Sequence, residues 1–266
     1  MKSSKQFIEI QNGILEHHYD EMLEDLIDDL DYFPGPPNHF HPEPTEKEIK
    51  EELHEELKAM IVMEKKRERC LDGVQTIFEL IGTLPRGQLC LQELLAGGEL
   101  LFNKITSDEE KDANDPFSDE TMLGLVPDET NLYEKLGISF ETLATVYQLG
   151  NQLFAEEKFE EAAGVYEVLG LLNQTSPTIW TAAGLCHYRL KNWGAAVESF
   201  LAASDANAED PVPLMHCAFC YLAMNDHEKA KEMIEAAQQL IDEGKGDSSS
   251  RPSYLATLDE LVQRAA

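Results

Sequence analysis

The chain has 266 residues, 42% of them hydrophobic, which is enough to fill a sizeable core. Its formal net charge is -30 at pH 7, the sequence pI is near 4.4, and both halves are acidic. A surface of that sign repels phosphate backbones and anionic headgroups, which excludes nucleic acid and membrane surfaces as natural partners.

Five cysteines (Cys70, Cys90, Cys186, Cys217, Cys220) cannot all pair, and none lies in a small, dense scaffold, so their usage fits a reducing cytosol. The start, Met1-Lys2-Ser3-Ser4-Lys5, runs into Glu9, Gln11 and Asn12 with no apolar h-region. No run approaches the roughly 18–20 apolar residues of a membrane span. The expectation is a cytoplasmic protein without membrane insertion.

Residues 1–32 predict an acidic amphipathic helix. Ile14, Leu15, Met22, Leu23, Leu26, Ile27 and Leu30 form one stripe, and Glu21, Glu24, Asp25, Asp28 and Asp29 the other. Such a stripe packs on its own domain or docks as an arm on a partner or groove. Pro34-Gly35-Pro36-Pro37 through Pro44 cannot continue a helix and reads as a linker. Thr45 and Glu48 form a capping box, after which Ile49, Leu53, Leu57, Met60 and Ile61 recur at helical spacing toward Ile81, where Gly82 and Pro85 stop the helix. A third helix, about 88–105, carries Leu89, Leu91, Leu94, Leu95, Leu100, Leu101 and Phe102, with Gly97-Gly98 as a weak point. The last two predict a helical hairpin, and residues 1–105 an N-terminal helical module.

Residues 106–131 are rich in Asp, Glu, Ser and Asn and offer little to bury, which predicts a flexible acidic linker and a domain boundary. From there residues 132–266 read as one domain, because the sequence repeats itself. Gly150, Gly184 and Ala218 align, as do Leu153, His187 and Tyr221; Phe159, Trp193 and His227; Ala162, Ala196 and Ala230; Tyr166, Phe200 and Ile234. Each step is 34 residues, the period of the tetratricopeptide helix–turn–helix unit, which buries its apolar face only by stacking on neighbours. Helices A are predicted near 141–155, 177–190 and 211–224, and helices B near 159–172, 193–205 and 227–242. Pro177 and Pro211 stand where a helix begins, and Pro252 to Arg264 predicts a final capping helix. The fold class is all-α: a three-repeat superhelix with a cap, behind an N-terminal helical module.

Little in the sequence points to chemistry. His216-Cys217-x-x-Cys220 has a metal or redox spelling, but it falls inside the third helix A, where Cys220 matches Cys186 and Cys217 matches Ala183. His17-His18 and His39-x-His41 lack partners at ligand spacing, and Glu51-Glu52-x-x-Glu55-Glu56 reads as a wet helix face. There is no phosphate loop, nucleophile elbow or H-E-x-x-H. The expectation is no enzyme, no metal and no cofactor.

The surface left over is the inner face of the A helices. Helical projection places Tyr147, Asn151 and Phe154, then Thr181, Leu185 and Tyr188, then Met215, Phe219 and Leu222 on the side away from helix B. Seven of these nine are apolar or aromatic, which predicts a concave groove for an extended or helical peptide. Any one of them taken singly also fits a plain interior position. Only Arg189 is basic on these helices, so an acidic chain terminus is a poor ligand and hydrophobic or basic ligands suit it better.

The residues Ile138-Ser139, Thr142-Leu143, Tyr147, Leu149, Lys158-Phe159-Glu160-Glu161-Ala162, Gly184-Leu185-Cys186, Trp193-x-x-Ala196-Val197, Ala218-x-Cys220 and Ala230 carry a family resemblance. Over about 132–242 the chain resembles the class II chaperones of type III secretion, the SycD/LcrH/IpgC family. The resemblance implies a bacterial cytosolic chaperone without ATPase activity. Its partners would be hydrophobic secreted translocator proteins, held through an extended segment in the concave groove until export, and it implies a possible homodimer. The family's groove aromatics fall on Tyr147 and Phe154, and on Asn151, where a polar residue stands instead. Family members carry only a short region before the repeats, and this chain has about 130 residues there. The repeat by itself also fits a general adaptor in a complex unrelated to secretion.

Overall fold

The computed structural model describes residues 65–107 and 131–265. The chain divides into two compact units, Met1–Glu68 and Arg69–Ala266, and the second carries the repeats. The helix expected over 1–32, the proline linker, the capping box at Thr45 and most of the acidic linker lie outside the described residues. Every regular element among the described residues is helical.

The second unit opens with α1 (residues 69–80), the part of a helix that belongs to it. A single 3-10 turn, Ile81–Thr83, and the sequence Leu84-Pro85-Arg86 reverse the chain into α2 (Gly87–Ser107). Gly87 is required at the reversal, since a Cβ there would sit 1.8 Å from the Ile81 carbonyl oxygen. The glycine pair inside α2 does not break it. Gly97 is buried and faces Ile138, whose side chain a Cβ would meet at 3.1 Å, so the glycine serves a close approach.

A short helix, α3 (Leu132–Lys135), leads to the first helix A, α4 (Phe140–Ala155), and its helix B, α5 (Phe159–Leu172). The second pair is α6 (Pro177–Leu190) and α7 (Trp193–Ala206), and the third α8 (Val212–Ala223) and α9 (His227–Asp242). The cap, α10 (Arg251–Ala265), packs on both helices of the third pair. These bounds follow the predicted ones within a residue or two.

The 34-residue step is written into the backbone as well. Glu157, Lys191 and Asn225 each adopt the left-handed conformation at the A-to-B turn, with φ of 61°, 63° and 60°. Directly after each, the backbone N–H of Lys158, Asn192 or Asp226 donates at 2.9 Å to the carbonyl of Leu153, His187 or Tyr221, closing the end of helix A. Across each pair a small residue in A receives a large one from B. A Cβ on Gly150 would lie 2.8 Å from the Tyr166 ring, and one on Gly184 2.6 Å from the Phe200 ring. The third pair seats Ile234 near Ala218, both buried in one cluster.

The hairpin α1–α2 belongs to the same compact unit as the repeats, whereas composition had placed a boundary at 106–131. The reason is a set of specific contacts that hold it to the first repeat. Ile77, Ile81 and Cys90 share a buried cluster with Leu143, Val146 and Leu149 of α4. Gly73 of α1 meets Gly164 of α5 backbone to backbone, and a Cβ on Gly73 would fall 2.2 Å from the Gly164 carbonyl oxygen. Arg69 Nε donates to both carboxylate oxygens of Glu167 at 2.9 and 3.2 Å, and Glu167 Oε1 also lies 2.9 Å from Nε2 of His187 on α6. Glu167 and His187 are buried, so this pair of contacts ties three helices in a low-dielectric setting.

Glu93 of α2 caps the start of α4. One of its oxygens accepts from the backbone N–H of Ser139 at 2.9 Å and from the hydroxyls of Ser139 and Thr142 at 2.7 Å each. The Ser139 hydroxyl in turn accepts from the Thr142 N–H at 3.2 Å, the usual N-cap bond. Hydrogen bonds from Thr142, then Ser139, hold the Glu93 carboxyl below its ordinary pKa.

Two outcomes follow from these contacts. Gly184→Val should lower stability by about 1–3 kcal/mol through overpacking against Phe200, measured as a shifted urea midpoint, while Gly194→Ala, which points into open space, should leave it unchanged or higher. Because the folded-state pKa of Glu93 is depressed, its contribution is present above the unfolded value of about 4.5 and is lost as pH falls through the folded value. The stability gap between wild type and Glu93→Gln, about 1 kcal/mol at pH 7 for such a partly solvated carboxylate, should therefore close below that pH.

Candidate functional site

The His216-Cys217-x-x-Cys220 spelling resolves into packing. Cys186, Cys217 and Cys220 are fully buried, and burial pushes each thiol up to about 12, so none is a thiolate at neutral pH. His216 stacks on Phe200, with ring centroids 4.8 Å apart and an 18° interplanar angle, and burial lowers its pKa. No group of three or more His, Cys, Asp or Glu residues positioned to hold a metal occurs among the described residues. His17, His18, His39 and His41 lie outside them. Within the described residues no helix is long and apolar enough to cross a membrane.

The nine expected groove positions recur at i, i+4 and i+7 on α4, α6 and α8, which puts each trio on one helix side. They divide into three rows along the array. In the first row Tyr147 and Thr181 are half-buried, and Met215 is buried at 4% exposure within the third-repeat cluster beside Ile234 and Leu258. Met215 thus supports the surface from below and does not line it. The Tyr147 ring leans on Tyr166 with centroids 5.5 Å apart, and burial raises its pKa, so the hydroxyl is neutral.

The middle row is Asn151, Leu185 and Phe219. Asn151 is exposed, and its Oδ1 accepts from the Tyr166 hydroxyl at 2.8 Å. Leu185 is half-buried against the second-repeat cluster. Phe219 is half-buried, and the Arg264 guanidinium of the cap helix lies over its ring at 5.5 Å. The third row is Phe154, Tyr188 and Leu222, all half-buried beside the A-to-B turns. Phe154 meets Phe159 edge-on at 5.1 Å and Tyr188 meets Trp193 at 5.3 Å, so each also braces the first residue of the following helix B. Arg189, the lone basic residue of the A helices, is held over Phe159 at 4.6 Å.

Sequence reasoning missed four features here. The Arg69–Glu167–His187 group, the Glu93 cap, the Tyr166–Asn151 bond and Arg264 over Phe219 all join residues on different helices. Periodicity reports which side of one helix is apolar, and none of these contacts has a signature within one helix. The one available hint was internal: the aligned B-helix residues Tyr166, Phe200 and Ile234 carry a hydroxyl in the first repeat alone, the repeat that also holds the single polar residue of the middle row.

No family model matches the chain. It is 25% identical over 104 residues to the low calcium response locus protein H of Yersinia pestis, a stretch covering 39% of this chain and 62% of that protein. The chain thus spans about three fifths of the length of the curated relative it matches. Among solved structures it is similar to the type III secretion translocator chaperone SycD of Yersinia enterocolitica, with 20% identity, 51% of this chain and 99% of that chain covered, and a TM-score of 0.46. It is likewise similar to PcrH, a Pseudomonas aeruginosa protein, in complex with the chaperone binding region of PopD: 22% identity, 49% and 98% covered, TM-score 0.44.

The thiol environments give a direct check. A thiol reagent at neutral pH should label half-buried Cys70 in the native protein and leave Cys90, Cys186, Cys217 and Cys220 unmodified, and all five should react in denaturant, as counted by intact mass.

Proposed function

We propose that this protein is an ATP-independent chaperone that holds a hydrophobic segment of a type III secretion translocator in the A-helix groove and keeps it soluble in the bacterial cytoplasm before export. The observation that carries the reading is the row of half-buried apolar and aromatic side chains recurring on one side of α4, α6 and α8. Tyr147, Leu185, Tyr188, Phe219 and Leu222 each keep part of their surface open to solvent while anchored in the core behind them. A recurring partly open apolar surface is what an extended peptide needs, because alternate side chains of the peptide can each find a neighbouring repeat.

The client class comes from the resemblance of residues 132–242 to the class II chaperones. It agrees with the chemistry of the body around the groove. Covering apolar client area stabilises the complex by about 25 cal/mol per Å², and a net charge of -30 keeps a complex with a sticky client from self-associating. The groove requires no nucleotide, metal or cofactor for this. A carboxylate clamp needs several basic residues on the A helices, and the single one there, Arg189, is engaged on Phe159.

The test uses a fluorescent peptide of the PopD chaperone binding region and the full-length chain. Leu185→Glu, which sets a charge in the centre of the groove, should weaken binding about tenfold or more, measured at a temperature where circular dichroism shows the variant still folded, because part of the side chain is packed on the core. Equal affinity of wild type and variant would remove the groove from the proposal.

A further inference from the structure

Of the nine groove positions two are polar, the half-buried Thr181 and the exposed Asn151, and Asn151 is the one that apolar burial does not account for. Asn151 stands where the next two repeats place Leu185 and Phe219. Beneath it, Tyr166 stands where they place Phe200 and Ile234. The two polar groups therefore occur together, in one repeat, and they are bonded to each other at 2.8 Å. The Tyr166 ring is 1% exposed and seated against Gly150, where there is no room for even a Cβ. That seat fixes the ring, and the hydroxyl emerges beside Asn151.

The consequence concerns the other half of the amide. A buried phenol that donates to Oδ1 fixes the plane of the Asn151 side chain, which leaves the amide NH2 on the opposite side. Asn151 is exposed, so these two donors are accessible to a ligand, on the helix side that Asn151 shares with Tyr147. A side chain needed only to satisfy Tyr166 would serve as well if it were Asp or Ser. The amide adds two donors that Tyr166 does not use.

We infer that Asn151, oriented by Tyr166, donates a hydrogen bond to a backbone carbonyl of the client and so sets the register of an extended segment in the groove. An extended chain presents carbonyls on alternate sides along its length, with side chains projecting between them. One fixed donor selects one carbonyl, and the flanking apolar positions then receive defined side chains. Tyr166 is a positioning residue in this scheme, and Asn151 touches the client. The inference rests on the groove reading above and deepens it.

The experiment uses full-length protein, the PopD chaperone binding region peptide, and two readouts. Asn151→Asp keeps an acceptor for the Tyr166 hydroxyl and removes the donors, so it should weaken the peptide about tenfold with an unchanged melting temperature. In ¹⁵N-labelled wild type, the side-chain NH2 signal of Asn151, assigned by its absence in the variant, should shift downfield on peptide binding. Tyr166→Phe should also weaken binding, and in it that shift should shrink. If the peptide binds wild type, Leu185→Glu weakens it, and Asn151→Asp and the NH2 signal show no change, the inference is overturned and the groove reading stands. If wild type does not bind the peptide at all, both fall together.

Discussion

The fold depends on one steric relation: a residue with almost no side chain in helix A receives a large side chain from helix B. Gly150 under Tyr166 and Gly184 under Phe200 set how closely each pair approaches, and every contact between neighbouring repeats is scaled to that distance. The rest of the repeat adapts to it. Left-handed residues at 157, 191 and 225 turn the chain at a constant point, so helix B always returns at the height where its large residue meets the small one. The partly open row on the A helices is the by-product, because helix B covers that flank only in part: Tyr147 leans on Tyr166, and Phe154 and Tyr188 meet Phe159 and Trp193, each with surface left over.

The front of the array is secured by different physics. Repeats hold one another by apolar stacking, whereas the hairpin α1–α2 adds single polar contacts of long sequence reach, Arg69 to Glu167 and Glu93 to Ser139 and Thr142. Glu167 also engages His187 of the second repeat, so one buried carboxylate joins the hairpin to both of the first two repeats. Such groups contribute specificity of placement as much as stability, since only one register satisfies them.

The division between what the sequence disclosed and what it did not follows from this contrast. The helix bounds, the cap and the recurring small and large positions were legible because the same packing problem is solved three times at a fixed spacing, and repetition separates signal from chance; which small residue faces which large one was not. The turn residues were not legible, because Glu157, Lys191 and Asn225 share no chemistry that marks a positive φ. Nor was the attachment of the hairpin, which rests on residues up to 98 positions apart that each look like ordinary surface charge. Composition suggested a boundary at 106–131, and composition is blind to contacts made on either side of a polar stretch. Of the nine expected groove positions, eight are half-buried or exposed and Met215 is buried, because α10 folds over the third repeat and closes its end.

The meeting of Gly73 and Gly164 has an evolutionary consequence. Two helices that touch backbone to backbone leave no space for the smallest side chain on either partner, so neither position can drift alone while the other is kept. A side chain at either position would part the front hairpin from the first repeat. A relative that has lost the hairpin is free to place any small or medium residue at the position of Gly164, and one that keeps it must keep both glycines.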